Sequence, residues 1–182
     1  MIKYLITPFI LMLLTGCSES TETNTDNTNP ASSSTTWKLE TIVDEFGKET
    51  DEKQPVAEFT GTMSNSATTE SLLTINAWVG ETRSGETQLY FELLEYGDTP
   101  AQMPDFEFIE APIRKSDGEV VRIDMIVNKS RLGPVNSGEL LEMLLASENG
   151  LTIRLDLVQI DRNSQTVYVF DIDKVGLAAL LE

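Results

Sequence analysis

The chain has 182 residues, of which 30 are acidic and 13 basic, for a formal net charge of −17. This balance disfavours a nucleic-acid partner, because phosphate contacts require a basic surface. The absence of histidine excludes histidine-based catalytic triads and removes the commonest ligand of zinc and copper. The single cysteine cannot form an internal disulfide, so we expect one domain that depends on its apolar core.

The first residues have the charge order and the length of an export signal. Lys3 precedes "YLITPFILMLL", an apolar run that ends at Leu14. This run is too short to cross a bilayer core of about 30 Å, which takes about 20 helical residues. The pattern therefore predicts a secretory signal peptide.

The motif "LTGC", from Leu14 to Cys17, resembles the lipobox of bacterial lipoprotein precursors. The resemblance implies that residues 1–16 are the signal peptide and that the Cys17 thiol is acylated. Ser18 follows, and the lack of aspartate at this position implies, by the same resemblance, an outer-membrane location in the cell envelope. The alternative is an ordinary signal peptide, or a buried N-terminal helix, whose cysteine falls at this position by chance.

A polar segment follows the cysteine. Residues 18–36, "SESTETNTDNTNPASSSTT", contain no large apolar side chain and no positive charge. Such a segment cannot bury enough surface to offset the entropy lost on ordering. We therefore predict a disordered tether over residues 17–36, with an end-to-end distance of about 24 Å for a flexible coil of this length. The folded domain is expected over residues 37–182.

From Trp37 onward, apolar and polar residues mostly alternate, which is typical of half-buried β-strands. Clusters of turn-forming residues separate the alternating segments. We predict a mainly β domain, namely an antiparallel β-sandwich of about eight strands. The clearest alternating segments are residues 57–63, 73–79, 89–93, 121–127, 153–157 and 166–172.

One late stretch breaks the alternation. "SGELLEMLLASENG" places four leucines at helical spacing, with Ser137 as a candidate N-cap and Gly150 beyond the end. A second, shorter helix is predicted to start at Asp173 and to run to the C-terminus. The sandwich is thus expected to carry one or two late helices.

The folded segment has a second resemblance. The order of Trp37, "NSAT", the Leu-rich helix and "VYVFDIDKVGLAALLE" resembles small exported β-sandwich domains related to VasI, an accessory protein of type VI secretion. Those domains also end in an aromatic strand and a Gly-Leu turn, as Phe170 and Gly176-Leu177 do here. The cysteine pair of VasI is absent from this chain. The resemblance implies an accessory role in a secretion system.

The sequence offers little for catalysis. We interpret Ser64, Asn65 and Ser66 as a turn between strands, because no base lies near these serines in sequence. We predict a domain that is not an enzyme and has no catalytic residues and no cofactor. The alternative is a carboxylate-dependent envelope glycan hydrolase, for which the strand-borne candidates are Glu92, Glu95, Asp124 and Asp156.

A calcium site is a further alternative near the C-terminus. Asp161 and Asn163 occupy alternate positions as in an EF-hand loop, and Asp171 and Asp173 could join them. The loop lacks the characteristic glycine, and its twelfth position is an isoleucine instead of a bidentate glutamate. The favoured interpretation is a polar hairpin turn that holds no metal.

Trp78 is the most suggestive aromatic residue, because it shares a predicted strand face with Thr74 and Asn76, opposite the aliphatic face. An indole next to hydroxyl and amide groups can stack on a sugar or fill a pocket of a partner. The favoured interpretation of Trp78 is structural: a sandwich strand can use both faces, with Trp78 beneath a helix or loop. We predict a lipid-anchored binding or interaction domain with an unknown ligand, an envelope protein or a glycan, and these three residues are its candidate contacts.

Overall fold

The computed structural model describes residues 36–43, 46–159 and 164–182. The predictions on the signal peptide, Cys17, the tether, Asp161 and Asn163 lie outside these ranges. The strands are β1 (Lys38–Val43), β2 (Glu49–Ser64), β3 (Ser71–Glu81), β4 (Thr87–Glu95), β5 (Thr99–Pro100), β6 (Asp105–Lys115), β7 (Val120–Asn128), β8 (Arg131–Pro134), β9 (Leu151–Gln159) and β10 (Ser164–Ile172). The helices are α1 (Glu139–Ala146) and α2 (Leu177–Leu180).

Eight of these strands close into an antiparallel barrel. Their order is β2-β10-β9-β6-β7-β8-β4-β3, and the pairing of β3 with β2 completes the ring. β1 pairs with the first half of β2, and the short β5 pairs with the end of β4. The predicted mainly β, antiparallel domain is confirmed. The sandwich is not confirmed, because the sheet closes on itself instead of forming two stacked sheets.

The barrel interior is filled by the apolar side chains of the alternating segments. On β3, Leu73 and Ile75 are fully buried, whereas their neighbours Thr74 and Asn76 are half-buried on the outer face. Side chains of successive strand residues point to opposite faces, so the alternation in sequence becomes an inside and an outside. The largest fully buried side chains are Tyr168, Phe91, Phe170 and Met63.

Closure of the barrel depends on a glycine in β2. A Cβ atom added at Gly61 would lie 2.5 Å from the carbonyl oxygen of Val169 and 2.6 Å from the Cβ of Phe170. Gly61 is the register partner of Phe170. The missing side chain therefore allows β2 and β10 to approach each other.

The predicted Leu-rich helix is confirmed as α1, but its start differs from the prediction. The N-cap is Gly138, with φ of 84°, and no side chain caps the helix, so the N-cap role expected for Ser137 is wrong. α2 begins only at Leu177, because the preceding residues form a turn in which the Leu177 amide donates to the Lys174 carbonyl. Neither described helix reaches the length and apolar character that crossing a bilayer requires.

Trp37 fixes the start of the described domain. Its side chain is buried and contacts the ring of Phe59 edge to face, with 5.8 Å between centroids. Its indole N–H donates to the Asp173 carbonyl at 2.8 Å, and its backbone N–H donates to the Val175 carbonyl at 3.1 Å. Trp37 is therefore a core residue of the domain.

Candidate functional site

Trp78 lies on the outer face of the barrel, where β1, β2, β3 and β4 run side by side. Its register partners are Val56 on β2 and Tyr90 on β4, and Lys38 on β1 lies beyond Val56. Paired residues of an antiparallel sheet share a face and approach closely. These four side chains therefore form one row across the outer face.

Trp78 is packed against an aromatic and a cationic neighbour. The rings of Trp78 and Tyr90 stack with 5.6 Å between centroids and 16° between planes. The guanidinium carbon of Arg131 lies 5.9 Å from the centroid of Trp78, within cation–π range. Tyr90 in turn covers Gly133, where an added Cβ would lie 3.0 Å from a ring carbon of Tyr90. Trp78 is half-buried, and its two neighbours Tyr90 and Arg131 stand on strands β4 and β8.

Glu92 holds the arginine of this cluster in place. The Nε of Arg131 donates to Oε1 of Glu92 at 3.3 Å, and the hydroxyl of Ser130 donates to the same oxygen at 3.2 Å. Glu92 and Arg131 are also register partners of β4 and β8. The contact of Arg131 with Trp78 is thus fixed by side-chain bonds as well as by the sheet.

A shallow groove of about 270 Å³ borders Trp78. Three elements contribute to it, since its wall contains residues of β1, β2 and β3. We call it the Trp78 groove, and its main side chains are those of Trp78, Asn76, Lys38, Glu40, Gln54 and Glu58. The predicted residues Trp78 and Asn76 are brought together there. The third, Thr74, is also on the outer face, but it pairs with Thr60 and Leu94 outside the groove.

The charges of the groove are mixed. Lys38 and Glu40 form an exposed ion pair at 2.7 Å. The hydrogen bond that the Lys38 ammonium donates to Glu40, with a smaller contribution from the charge of Glu58, raises the pKa of Lys38 above its ordinary value. The groove therefore contains one ammonium, that of Lys38, and two carboxylates, those of Glu40 and Glu58. The amides of Gln54 and Asn76 are its other polar groups.

The four carboxylates proposed for hydrolysis do not converge. Glu92 contacts Arg131 on the outer face, whereas Glu95 accepts a hydrogen bond of 2.6 Å from the hydroxyl of Tyr168, a buried residue. Asp156 is engaged by Arg154 at 2.8 Å, and this bond lowers the pKa of its carboxyl. Asp124 lies on the outer face of β7. Each group has its own surroundings, so these four do not form the paired acid and base that glycoside hydrolysis needs.

The calcium candidates that the structure describes are engaged in local contacts. Asp171 accepts a hydrogen bond from the hydroxyl of Thr152, and the carboxylate of Asp173 accepts one from the amide of Val175 at 3.0 Å. Across residues 36–43, 46–159 and 164–182, no group of three or more Asp, Glu, Cys or His is placed to hold a metal ion. The described half of the proposed calcium site thus gives it no support.

The "MSNSAT" segment behaves as a turn. The side-chain oxygen of Asn65 accepts hydrogen bonds from the amides of Ala67 and Thr68 at 2.8 and 3.0 Å. The Ser64 hydroxyl accepts one from the amide of Glu70 at 3.0 Å. These are the local backbone bonds expected of such side chains in a turn, which confirms the interpretation of this segment.

Sequence reasoning missed the residues that support Trp78. Tyr90 could have been found, because the short hairpin "ETRSGET" pairs β3 with β4 and sets Tyr90 opposite Trp78. The long-range approach of Arg131 has no comparable local signal. Comparison of the chain with family models, with curated proteins and with solved structures found no match.

Proposed function

We propose that this protein is a lipid-anchored lipoprotein of a bacterial cell envelope and that its barrel is a non-enzymatic glycan-binding domain. In this proposal, acylated Cys17 holds the protein in the outer membrane, and the Trp78 groove contacts the ligand. The observation that carries the glycan assignment is a supported indole bordering a polar groove. Contacts of Trp78 with Tyr90 and Arg131 keep the indole in place before a ligand arrives.

The groove has the chemistry that a sugar ring requires. A sugar presents an apolar face of C–H groups and an edge of hydroxyls, so an indole can cover the face while polar groups bind the edge. The amides of Gln54 and Asn76 can both donate and accept, and the carboxylate of Glu58 can accept from hydroxyls. Two carboxylates against one ammonium favour neutral or amino sugars over anionic ones.

Support from neighbouring side chains matters for affinity. Ordering a free side chain on binding costs about 0.5–1.5 kcal/mol. Trp78 is already held by Tyr90 and Arg131, so most of this cost falls on folding and not on binding. An indole that is already ordered binds a ligand at a lower entropic cost, and this supports a role of Trp78 in ligand binding.

The two alternative functions predicted from the sequence, glycan hydrolysis and an accessory role in secretion, have less support. Hydrolysis would require two of the four candidate carboxylates to share a site, and they lie apart. An accessory role in secretion would require a protein ligand. A protein that binds the Trp78 groove where glycans do not would favour the secretion role over glycan binding.

The anchor is tested on the full chain in a bacterial host. The wild-type protein is expected to partition into the detergent phase and to give an acylated N-terminal peptide that starts at Cys17, because buried acyl chains contribute about 0.8 kcal/mol per CH₂. Cys17→Ala is expected to abolish acylation. An unmodified thiol, or a mature N-terminus at another residue, would contradict the lipoprotein assignment.

The ligand is tested with oligosaccharides of N-acetylglucosamine, an uncharged derivative of an amino sugar. We expect a saturable change in tryptophan fluorescence, and we expect Trp78→Ala to weaken binding measured by calorimetry at least tenfold. Trp78→Phe, which keeps a ring, should retain part of the affinity, and Val120→Ala, at an exposed residue of β7, should change nothing. Equal binding by the wild type and Trp78→Ala would refute this role of the groove.

A further inference from the structure

The barrel contains a strand edge that is only partly paired. β6 pairs with β7 along almost its whole length, but its other edge pairs with β9 only at residues 113–115. Pro112 is the next residue along β6, and it has no N–H to donate to a neighbouring strand. Beyond this point β9 pairs with β10 alone. Within the described part of the chain, residues 105–112 therefore have no strand partner on that edge.

Two phenylalanines stand on this edge segment. Phe106 and Phe108 are 70% and 68% exposed, although soluble proteins usually bury such side chains. Phe106 lies in a register shift between β6 and β7 and has φ of 55°. A left-handed backbone costs about 1–2 kcal/mol for a non-glycine residue. The fold thus holds an exposed aromatic residue in a strained conformation beside unpaired backbone groups.

The charge of residues 105–112 indicates which kind of partner can bind there. Between residues 105 and 112, β6 carries the carboxylates Asp105, Glu107 and Glu110 and no basic residue. Only Glu110 is in an ion pair, with Arg122 at 2.7 Å. Two copies of this edge would place acidic strands side by side, and like charges opposite each other are destabilising. Charge complementarity therefore favours a basic partner over a second copy of this chain.

We propose that residues 105–112 of β6 are a docking strand for an extended, basic segment of a partner protein. The segment adds to the sheet through backbone hydrogen bonds, and its apolar side chains contact Phe106 and Phe108. Addition of a strand to an exposed sheet edge is a recurrent mode of peptide recognition, in which main-chain bonds give affinity and alternate side chains give specificity. This surface is separate from the Trp78 groove, so the inference does not depend on glycan binding.

The test uses labelled nine-residue peptides and the full chain in detergent, with binding measured by fluorescence anisotropy. A peptide of alternating Lys and Val is expected to bind, and the same peptide with Glu in place of Lys is expected to bind at least tenfold more weakly. The double variant Phe106→Ser/Phe108→Ser should also lose at least tenfold. Both side chains are exposed, so this variant should fold, which circular dichroism checks. Val120→Ser and Trp78→Ala are the matched controls and should bind normally.

Backbone pairing is separated from simple charge attraction by two further peptides. One carries N-methyl groups on every valine, and the other on every lysine. N–H groups of alternate residues point to the same side of a strand, so at least one of the two should lose binding at least tenfold. The proposal would be overturned if both methylated peptides, or the acidic peptide, bound as tightly as the unmodified Lys-Val peptide, or if no peptide bound at all. A dimer of the unliganded chain that disappears in the double variant would overturn it in favour of a second copy.

Discussion

The outer surface of the barrel carries aromatic residues in two different settings. Trp78 stacks on Tyr90, contacts Arg131 and stands on strands that are paired on both sides. Phe106 and Phe108 are more than two-thirds exposed and stand on an edge that is paired on one side. The first setting is a rigid surface whose side chains are already ordered. In the second, the side chains are exposed, and among the described residues one backbone edge has no strand partner.

The difference suggests two modes of recognition in one domain. A supported indole can select a ligand by shape and polar contacts, because little of it has to move. An unpaired edge selects mainly for an extended backbone, and its specificity depends on the side chains that flank it. Stability measurements distinguish the two settings without knowledge of either ligand.

The largest expected effect is that of truncating Trp78. We expect Trp78→Ala to lower the free energy of unfolding by about 2 kcal/mol, roughly half the loss for a fully buried aromatic residue, because its indole is only half-buried. Phe108→Ala should cost less than about 0.5 kcal/mol, as is usual for exposed positions. Denaturant unfolding measures both values. Equal losses would show that the two settings do not differ in packing.

Tyr168 is buried inside the barrel and belongs neither to the Trp78 groove nor to the β6 edge, so its substitution serves as a reference. Burial, together with the bond to Glu95, raises the pKa of Tyr168 above its ordinary value of 10.0. Above pH 10 the unfolded chain therefore loses this proton while the folded chain keeps it, so stability falls as pH rises. The slope from this residue is at most about 1.4 kcal/mol per pH unit. The free energy of unfolding is measured between pH 9 and 11. Tyr168→Phe should lack this fall in stability, whereas Trp78→Ala should retain it. The same pH dependence in the wild type and in Tyr168→Phe would contradict the pKa shift.

The smallest expected effect differs in sign between neighbouring residues. Phe106→Gly should raise the free energy of unfolding by up to about 1 kcal/mol, because glycine accepts the positive φ without strain. Phe108→Gly, at a residue whose φ is not positive, should lower it by about 0.5–1 kcal/mol. Thermal unfolding of both variants measures these changes in stability. A loss of stability in Phe106→Gly would show that the bulge is not strained.

Much of the strand content was predictable because it depends on local alternation. β3 is the clearest case, since Leu73, Ile75, Ala77 and Val79 face inward and Trp78 faces outward as expected. Closure into a barrel was not predictable, because it depends on contacts between distant strands, such as the approach of β10 to Gly61. A sandwich and a barrel share the same alternation along each strand.

The candidate site was only partly predictable for the same reason. Trp78 and Asn76 were found from one strand, but the walls of the groove come from β1 and β2, whose register the sequence does not reveal. Phe106 and Phe108 escaped notice because they lie outside the segments with the clearest alternation. The free edge beside them depends on how far β9 pairs with β6, and this long-range pairing covers only residues 113–115 of β6.

The attachment of Trp37 has a mechanical consequence. Any tension that reaches the domain along the chain preceding Thr36 meets the two hydrogen bonds of Trp37, to the carbonyls of Asp173 and Val175, before it reaches β1. Those bonds join the first described residues to the segment just after β10, so the load passes into two distant parts of the chain at once. Tension would therefore have to extract a buried indole from its place against Phe59 before β1 could peel from β2.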